Sequence, residues 1–244
     1  MPRILFAAFF IFCSAEVFCA QPPSGPTFVS ASIAEPATLL PVLASDSASH
    51  EVIGKVFNGL VRYNPDLMIE PELAESWAVS EDGKEIRFFL RKNIRWHDGT
   101  PFTSADVEFT YRTLINPDVP TPYSGDFQKV SKLTVVNDYE LTVTYAEPFA
   151  PALASWGIWM LPKHLLANEN LLHTDFARHP VGTGPYTFRK WKSGQSVELR
   201  ANKDYFEGAP QIERLIYRVI PDQTTMFMEL HQQTVDSIGL TPIQ

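Results

Sequence analysis

The sequence predicts an α/β protein of mixed α+β type, with hairpins and helices sharing mixed or largely antiparallel sheets. Three observations carry this reading. Three two-stranded units turn at short polar dipeptides. Several segments between them carry apolar residues at helical spacing. Hairpins and helices follow one another without a fixed-period repeat or a low-complexity tract. The 244 residues, 45% hydrophobic and 20% charged, suffice for a core of one or two domains. The 20 prolines are spread along the chain and outnumber the 12 glycines, which predicts stiff loops rather than a disordered tail. The net charge of -8 argues against nucleic acid or anionic membrane as a partner, since neither attracts an acidic surface.

The first twenty residues stand apart. Met1-Pro2-Arg3 carries one positive charge, residues 4–13 are the apolar run ILFAAFFIFC, and SAEVFCAQ follows. A basic start, an apolar run of roughly ten residues and then small residues predict a secretory signal. The alternative is an N-terminal core helix. The run is too short to span a bilayer, which needs about 20 apolar residues. The cleavage point stays open, because Phe18 sits where a small residue is preferred ahead of a cut after Ala20. Cys19 is a candidate lipid anchor, although Glu16-Val17-Phe18 makes a poor lipobox. Cys13 and Cys19 both lie in this segment, so the exported chain keeps at most one cysteine and no internal disulfide. The expected product is an exported, acidic protein, soluble or lipid-tethered.

From Thr27, TFVSASIAEPATLLP opens as a strand and stops at Pro36. SASHEVIGKVFNGLV places Val52, Ile53, Val56, Phe57 and Leu60 at helical spacing. AESWAVSEDGKEIRFFLRK is a hairpin turning at Asp82-Gly83, with Ile86, Phe88 and Leu90 alternating against Arg87, Phe89 and Arg91. WHDGTPFTSADVEF, residues 96–109, reads first as a corner. Asp98-Gly99 makes a tight turn, Pro101 sets the chain direction, and Thr103 with Asp106 forms a capping-box-like pair. Val107, Phe109, Tyr111 and Leu114 then supply a helical face, with Trp96 and Phe102 as apolar anchors. The alternative is a catalytic or metal role for His97 and Asp98. It lacks partners: there is no HExxH, and His164, His173 and His179 show no ligand spacing.

LTVVNDYELTVTY repeats the hairpin device around Asn137-Asp138, and GPYTFRKWKSGQSVELRA does so at Ser193-Gly194. PQIERLIYRVIPD is a further strand and QTTMFMELHQQ a helix. No GxSxG elbow or GxxxxGK[ST] loop is present. VGTGPY, residues 181–186, runs into a strand and not a helix N-terminus, so it reads as a sharp turn and not a phosphate cradle. Tyr123, Trp156 and Trp159 are candidates for a ligand cleft, against core packing for any one of them.

LAESWAVSEDGKEIRFFLRKNIRWHDGTPFTSADVEFTY resembles the signature segment of the extracellular solute-binding proteins of family 5, the oligopeptide, dipeptide and nickel-binding components of ABC importers. The likeness rests on Trp77, residues 80–83, 88–91 and 96–99, Pro101-Phe102 and residues 105–107. The GTGPY turn, the NKDYF motif at 202–206 and MELHQQTVDSIGLTP extend it over essentially the whole exported chain. The resemblance implies a periplasmic-binding-protein-like two-lobed fold (type II, cluster C-like). Residues 1–20 are then the signal, 21–57 the first part of lobe I, 58–179 a small inserted domain and 180–244 the return of lobe I. Family members are roughly twice this length, so the sequence is expected to be truncated before the second large lobe and to be an N-terminal fragment.

By the same resemblance the protein captures di- or oligopeptides for import. It performs no chemistry, needs no cofactor or metal, and works as a periplasmic monomer with ABC permease subunits in the inner membrane. The strand FVSASIAEP is expected to offer edge contacts, with Ser32, Ile33 and Glu35 nearest the ligand. Glu35 either pairs with a peptide ammonium or is a solvated loop acid. Tyr123 stands where relatives carry a site tyrosine. Trp156 and Gly157 are expected to line the cleft from the small domain, and Leu240, Thr241 and Pro242 from the lobe I crossing. The rivals are a secreted hydrolase using His97 and Asp98, a nickel or haem carrier of the same family, and a non-functional truncated product.

Overall fold

The computed structural model of the protein describes residues 25–239. The expected signal at 1–20, the anchor at Cys19, and Leu240, Thr241 and Pro242 lie outside the described residues. Strand β1 (Thr27–Ser32) opens the fold. Helix α1 (Ser47–Val56) follows, capped by Asp46, whose carboxylate accepts from the Ser49 N–H at 2.8 Å. Ala48, Val52, Ile53 and Val56 form its buried face. Next comes a small hairpin absent from the sequence reading, β2 (Val61–Tyr63) and β3 (Ile69–Pro71). The predicted hairpin is β4 (Ala74–Val79) and β5 (Glu85–Leu90). Its turn holds Gly83 at φ +67, a left-handed conformation that glycine adopts without strain. Along β5, Ile86, Phe88 and Leu90 are buried and Glu85, Arg87 and Phe89 exposed, the alternation of a half-buried strand.

Helix α2 (Ser104–Leu114) begins where the capping pattern predicts. The Asp106 carboxylate accepts from the Thr103 N–H at 2.9 Å, and also from the Lys163 N–H at 3.0 Å. The corner before it is pinned by Trp96 and Phe102, both 1% exposed, with ring centroids 5.9 Å apart. A single turn, α3 (Ser124–Phe127), leads into the hairpin β6 (Val130–Asn137) and β7 (Glu140–Tyr145). Two more single turns, α4 (Ala152–Ser155) and α5 (Lys163–Leu166), precede the last hairpin, β8 (Tyr186–Lys192) and β9 (Ser196–Ala201). Strand β10 (Arg214–Val219), helix α6 (Gln223–His231) and the short β11 (Ser237–Ile238) complete the described chain.

One sheet has the order β11-β1-β10-β9-β8 and another the order β4-β5-β7-β6. The second is antiparallel throughout. In the first, β1 runs parallel to both β10 and β11, with Ala31 opposite Arg218 and Ile238. The expectation of edge contacts is narrowed: β10 pairs with all six residues of β1 and β11 with Ser30 and Ala31, so the middle of the strand is not free for an extended ligand. Phe28 packs toward α1 and the main core, while Val29 and Ala31 point to the opposite face, where Met226 and Leu230 of α6 cover them. The main core is continuous. It runs from Val197, Leu199 and Leu215 under α1 to Ile86, Phe88, Leu141 and Val143 of the other sheet.

Candidate functional site

Helix α1 stands between two grooves. The first encloses about 450 Å³ and is lined by His50, Tyr123, Asp126, Ser155, Gly157 and Trp159 together with neighbouring residues. Tyr123 is set by its own turn, where its N–H donates to the Thr121 hydroxyl at 3.2 Å. Its hydroxyl donates to the Ala44 carbonyl at 2.5 Å. The His50 Nε2 lies 2.7 Å from the same hydroxyl, so Nε2–H is the donor and the tyrosine oxygen the acceptor. Burial, with the nearby Asp46 charge, pushes the Tyr123 phenol up, so it stays a neutral donor at neutral pH. The Trp159 ring lies 5.4 Å, centroid to centroid, from His50. Gly157 is the exposed floor of the groove. A Cβ there would lie 3.1 Å from the Ala154 carbonyl oxygen and 3.2 Å from that of Val61, tighter than ordinary contact. Gly157 and Trp159 also line a pocket of about 290 Å³ that contains Arg62 and Glu72.

The second groove, about 480 Å³, lies at the carboxyl ends of the parallel strands β1 and β11. Crevices at the carboxyl ends of parallel strands are where open sheets commonly receive ligands. Ser32, Ile33, Ser47, Glu51 and Gln223 are in its wall, and Ile33 is 55% exposed. The two grooves meet α1 from different sides. His50 and Tyr123 belong to one, Glu51 and Ser47 to the other.

Two expected site residues take other places. Trp156 does not line the groove. It is fully buried among Phe88, Tyr111 and Phe127, with its indole N–H donating to the Tyr145 hydroxyl at 3.1 Å. Its neighbour Trp159 reaches the groove instead. The Glu35 carboxylate is engaged within the chain. Its carboxylate accepts from the Gly194 N–H at 2.5 Å, the Ser193 hydroxyl at 2.9 Å and the Trp191 indole N–H at 3.3 Å, holding the β8–β9 turn. The Gly194 bond is the largest influence on its acidity, and the carboxyl lies below its usual range.

His97 is likewise structural. The Gly182 N–H donates to its Nδ1 at 3.2 Å, and its Nε2–H donates to the Gly184 carbonyl at 2.9 Å. Burial lowers its pKa, which suits a neutral ring bridging two backbone groups. The GTG turn it grips lies against the end of α1: a Cβ on Gly182 would lie 1.8 Å from the Val56 carbonyl oxygen. Asp98 pairs with His164 Nε2 at 2.6 Å.

Two features in and beside the grooves escaped the sequence reading. His50 sits on the less buried side of α1 and shows no motif spacing; only the fold brings it to Tyr123, 73 residues away. Glu72 lies 8% exposed in a polar knot. It accepts from the Asn58 amide at 2.7 Å and the Gly59 N–H at 2.8 Å, while the Asn58 carbonyl oxygen accepts from the Thr183 hydroxyl at 3.0 Å. The knot joins the loop after α1, the β3 end and the GTG turn.

Residues 68–244 match the family described as bacterial extracellular solute-binding proteins, family 5, middle part. The oligopeptide-binding protein AppA of Bacillus subtilis is 32% identical over 225 residues, covering 89% of this chain and 41% of AppA. Heme-binding protein A of Haemophilus influenzae is 29% identical over 243 residues, covering 90% of this chain and 44% of its own. Among solved structures, AppA from Bacillus subtilis in complex with a nonapeptide matches with a TM-score of 0.81 at 29% identity, covering 86% of this chain and 43% of that one. NikZ from Campylobacter jejuni in complex with Ni(L-His) matches with a TM-score of 0.80 at 35% identity, covering 86% of this chain and 42% of that one. The chain thus spans about two fifths of the length of these relatives.

Proposed function

The chain belongs to the bacterial extracellular solute-binding proteins of family 5, and from that premise we propose that it captures peptides outside the cytoplasmic membrane and presents them to the permease subunits of an ABC importer. In this reading residues 1–20 direct export and the protein acts as a periplasmic monomer. Residues 21–57 and 180–244 build lobe I, and 58–179 form the small inserted domain. Capture is a binding event without chemistry: a solute that touches both walls of a cleft shifts an open–closed equilibrium toward the closed form.

The observation that carries the reading is the groove beside α1, where Tyr123, His50 and Trp159 stand around the bare backbone of Gly157. Aromatic walls supply contact area at low entropic cost, and an unobstructed backbone floor admits an extended main chain. The hydrolase alternative finds little support, because both His97 ring nitrogens are engaged by backbone groups and Asp98 faces His164. Trp159→Ala tests the proposal. Trp159 is half-buried, so circular dichroism first establishes that the variant folds. Binding of a mixed tri- to pentapeptide library, followed by NMR chemical shifts, is then expected to weaken by about tenfold, the loss typical of removing an aromatic anchor. Undiminished binding would sink the assignment of the groove, and cleavage of any library peptide by the parent protein would sink the reading as a binding protein.

A further inference from the structure

We propose that the grooves beside α1 select solutes that carry a cationic group next to an apolar or aromatic one, basic peptides being the class they fit. The inference rests on the reading of these grooves as the solute site and adds the charge of the solute. Asp126 is in the wall of the first groove and Glu51 in that of the second, while among the described residues no lysine or arginine lines either. Both carboxylates are exposed, and among the described residues no cation pairs with Asp126. Glu51 accepts a long bond of 3.3 Å from the Ser30 hydroxyl. A concave surface with one sign of fixed charge concentrates solutes of the opposite sign.

The nearby cations stand outside both groove walls. Arg62 lines only the adjoining pocket, and its guanidinium is held by Glu70 and Glu207 at 2.7 Å each. Lys55 shares a further pocket with Glu51, on the β1–β10 pair, and lines neither groove. The aromatic faces act in the same direction as the carboxylates. Trp159 and Tyr123 stand in the same wall as Asp126, and aromatic faces attract ammonium and guanidinium groups. In the first groove an anionic solute meets Asp126 with repulsion, and among the described residues no lysine or arginine in the wall compensates.

The test is an NMR titration of the isotope-labelled full chain with three tripeptides of equal length, Ala-Arg-Ala, Ala-Ala-Ala and Ala-Glu-Ala, following the Trp159 indole signal. The basic peptide is expected to bind about tenfold more tightly than the neutral one, from one exposed ion pair and one cation–π contact, and the acidic peptide most weakly. Asp126→Asn, in the groove that holds Trp159, is expected to reduce that preference severalfold, and Glu51→Gln to reduce it less. Glu81→Gln, in the β4–β5 turn outside both grooves, removes the same net charge and is expected to leave it unchanged. Equal constants for the three peptides, or a preference untouched by Asp126→Asn and Glu51→Gln, would overturn the inference and leave the peptide-binding reading standing. Binding of none of the three would overturn both.

Discussion

Burial works against ionisation of the Glu72 carboxyl. Burial raises its pKa to about 7, against 4.5 for an unperturbed glutamate, and the bonds from Asn58 and the Gly59 N–H oppose the shift without cancelling it. Between these two values the folded chain keeps a proton that the unfolded chain has released. Stability therefore falls as pH rises from the lower value to the upper one, and levels off above it. At neutral pH and above, the loss amounts to no more than about 3 kcal/mol. Glu72→Gln is expected to remove that part of the slope, so that urea unfolding of the parent and the variant diverges progressively from acid to mildly alkaline buffer. Parallel pH profiles would show that Glu72 ionises in the fold as it does in water.

At the scale of single elements, a polar side chain often serves two segments at once. Asp106 starts α2 by accepting from the Thr103 N–H, and its second oxygen receives the Lys163 N–H of α5. The residue is only 4% exposed, so both donors would lose their partner in a poorly hydrated place. Asp106→Ala is expected to cost about 3 kcal/mol, and Asp106→Asn, which keeps one acceptor oxygen, about half of that. Urea denaturation measures both. A cost for alanine below about 1 kcal/mol, the value of an ordinary exposed cap, would mean that the Lys163 tether contributes nothing. Glu35 works in the same manner across a longer separation, tying the segment after β1 to the β8–β9 turn.

At the scale of the whole molecule, the described residues share one main core although the chain forms two large sheets. Among them no helix is long and apolar enough to cross a membrane. The export proposal therefore rests on residues 1–20 and on family membership. It predicts that the protein recovered from the cell envelope lacks about the first twenty residues, as the basic, apolar and small-residue pattern of a processed leader requires. Intact-mass spectrometry decides this, and an envelope protein that retains Met1 would reject it. Opposed walls and a shared solute are whole-molecule properties too, and the charge preference proposed for the grooves is the part of them that these residues alone can test.

The sequence by itself determined the elements that depend on near neighbours. The turns at Asp82-Gly83 and Ser193-Gly194 are where expected, because a left-handed glycine and a short polar turn are decided within four residues. The corner at 96–109 and the start of α2 were legible for the same reason, since the Asp106 cap lies three residues from Thr103. Tertiary structure alone decided the rest. The pairing of β1 with β10 joins residues Ala31 and Arg218, and no local pattern separates an interior parallel strand from an edge strand when its partner lies so far along the chain. Trp156 and Trp159 are chemically alike and three residues apart. The packing of Phe88 and Phe127 buries the first, and the turn of the chain beside Gly157 leaves the second against His50. Glu35 and Glu72 show the same limit for charge: a carboxylate's role follows from the N–H groups that the fold brings to it, and those come from residues 159 and 13 positions away.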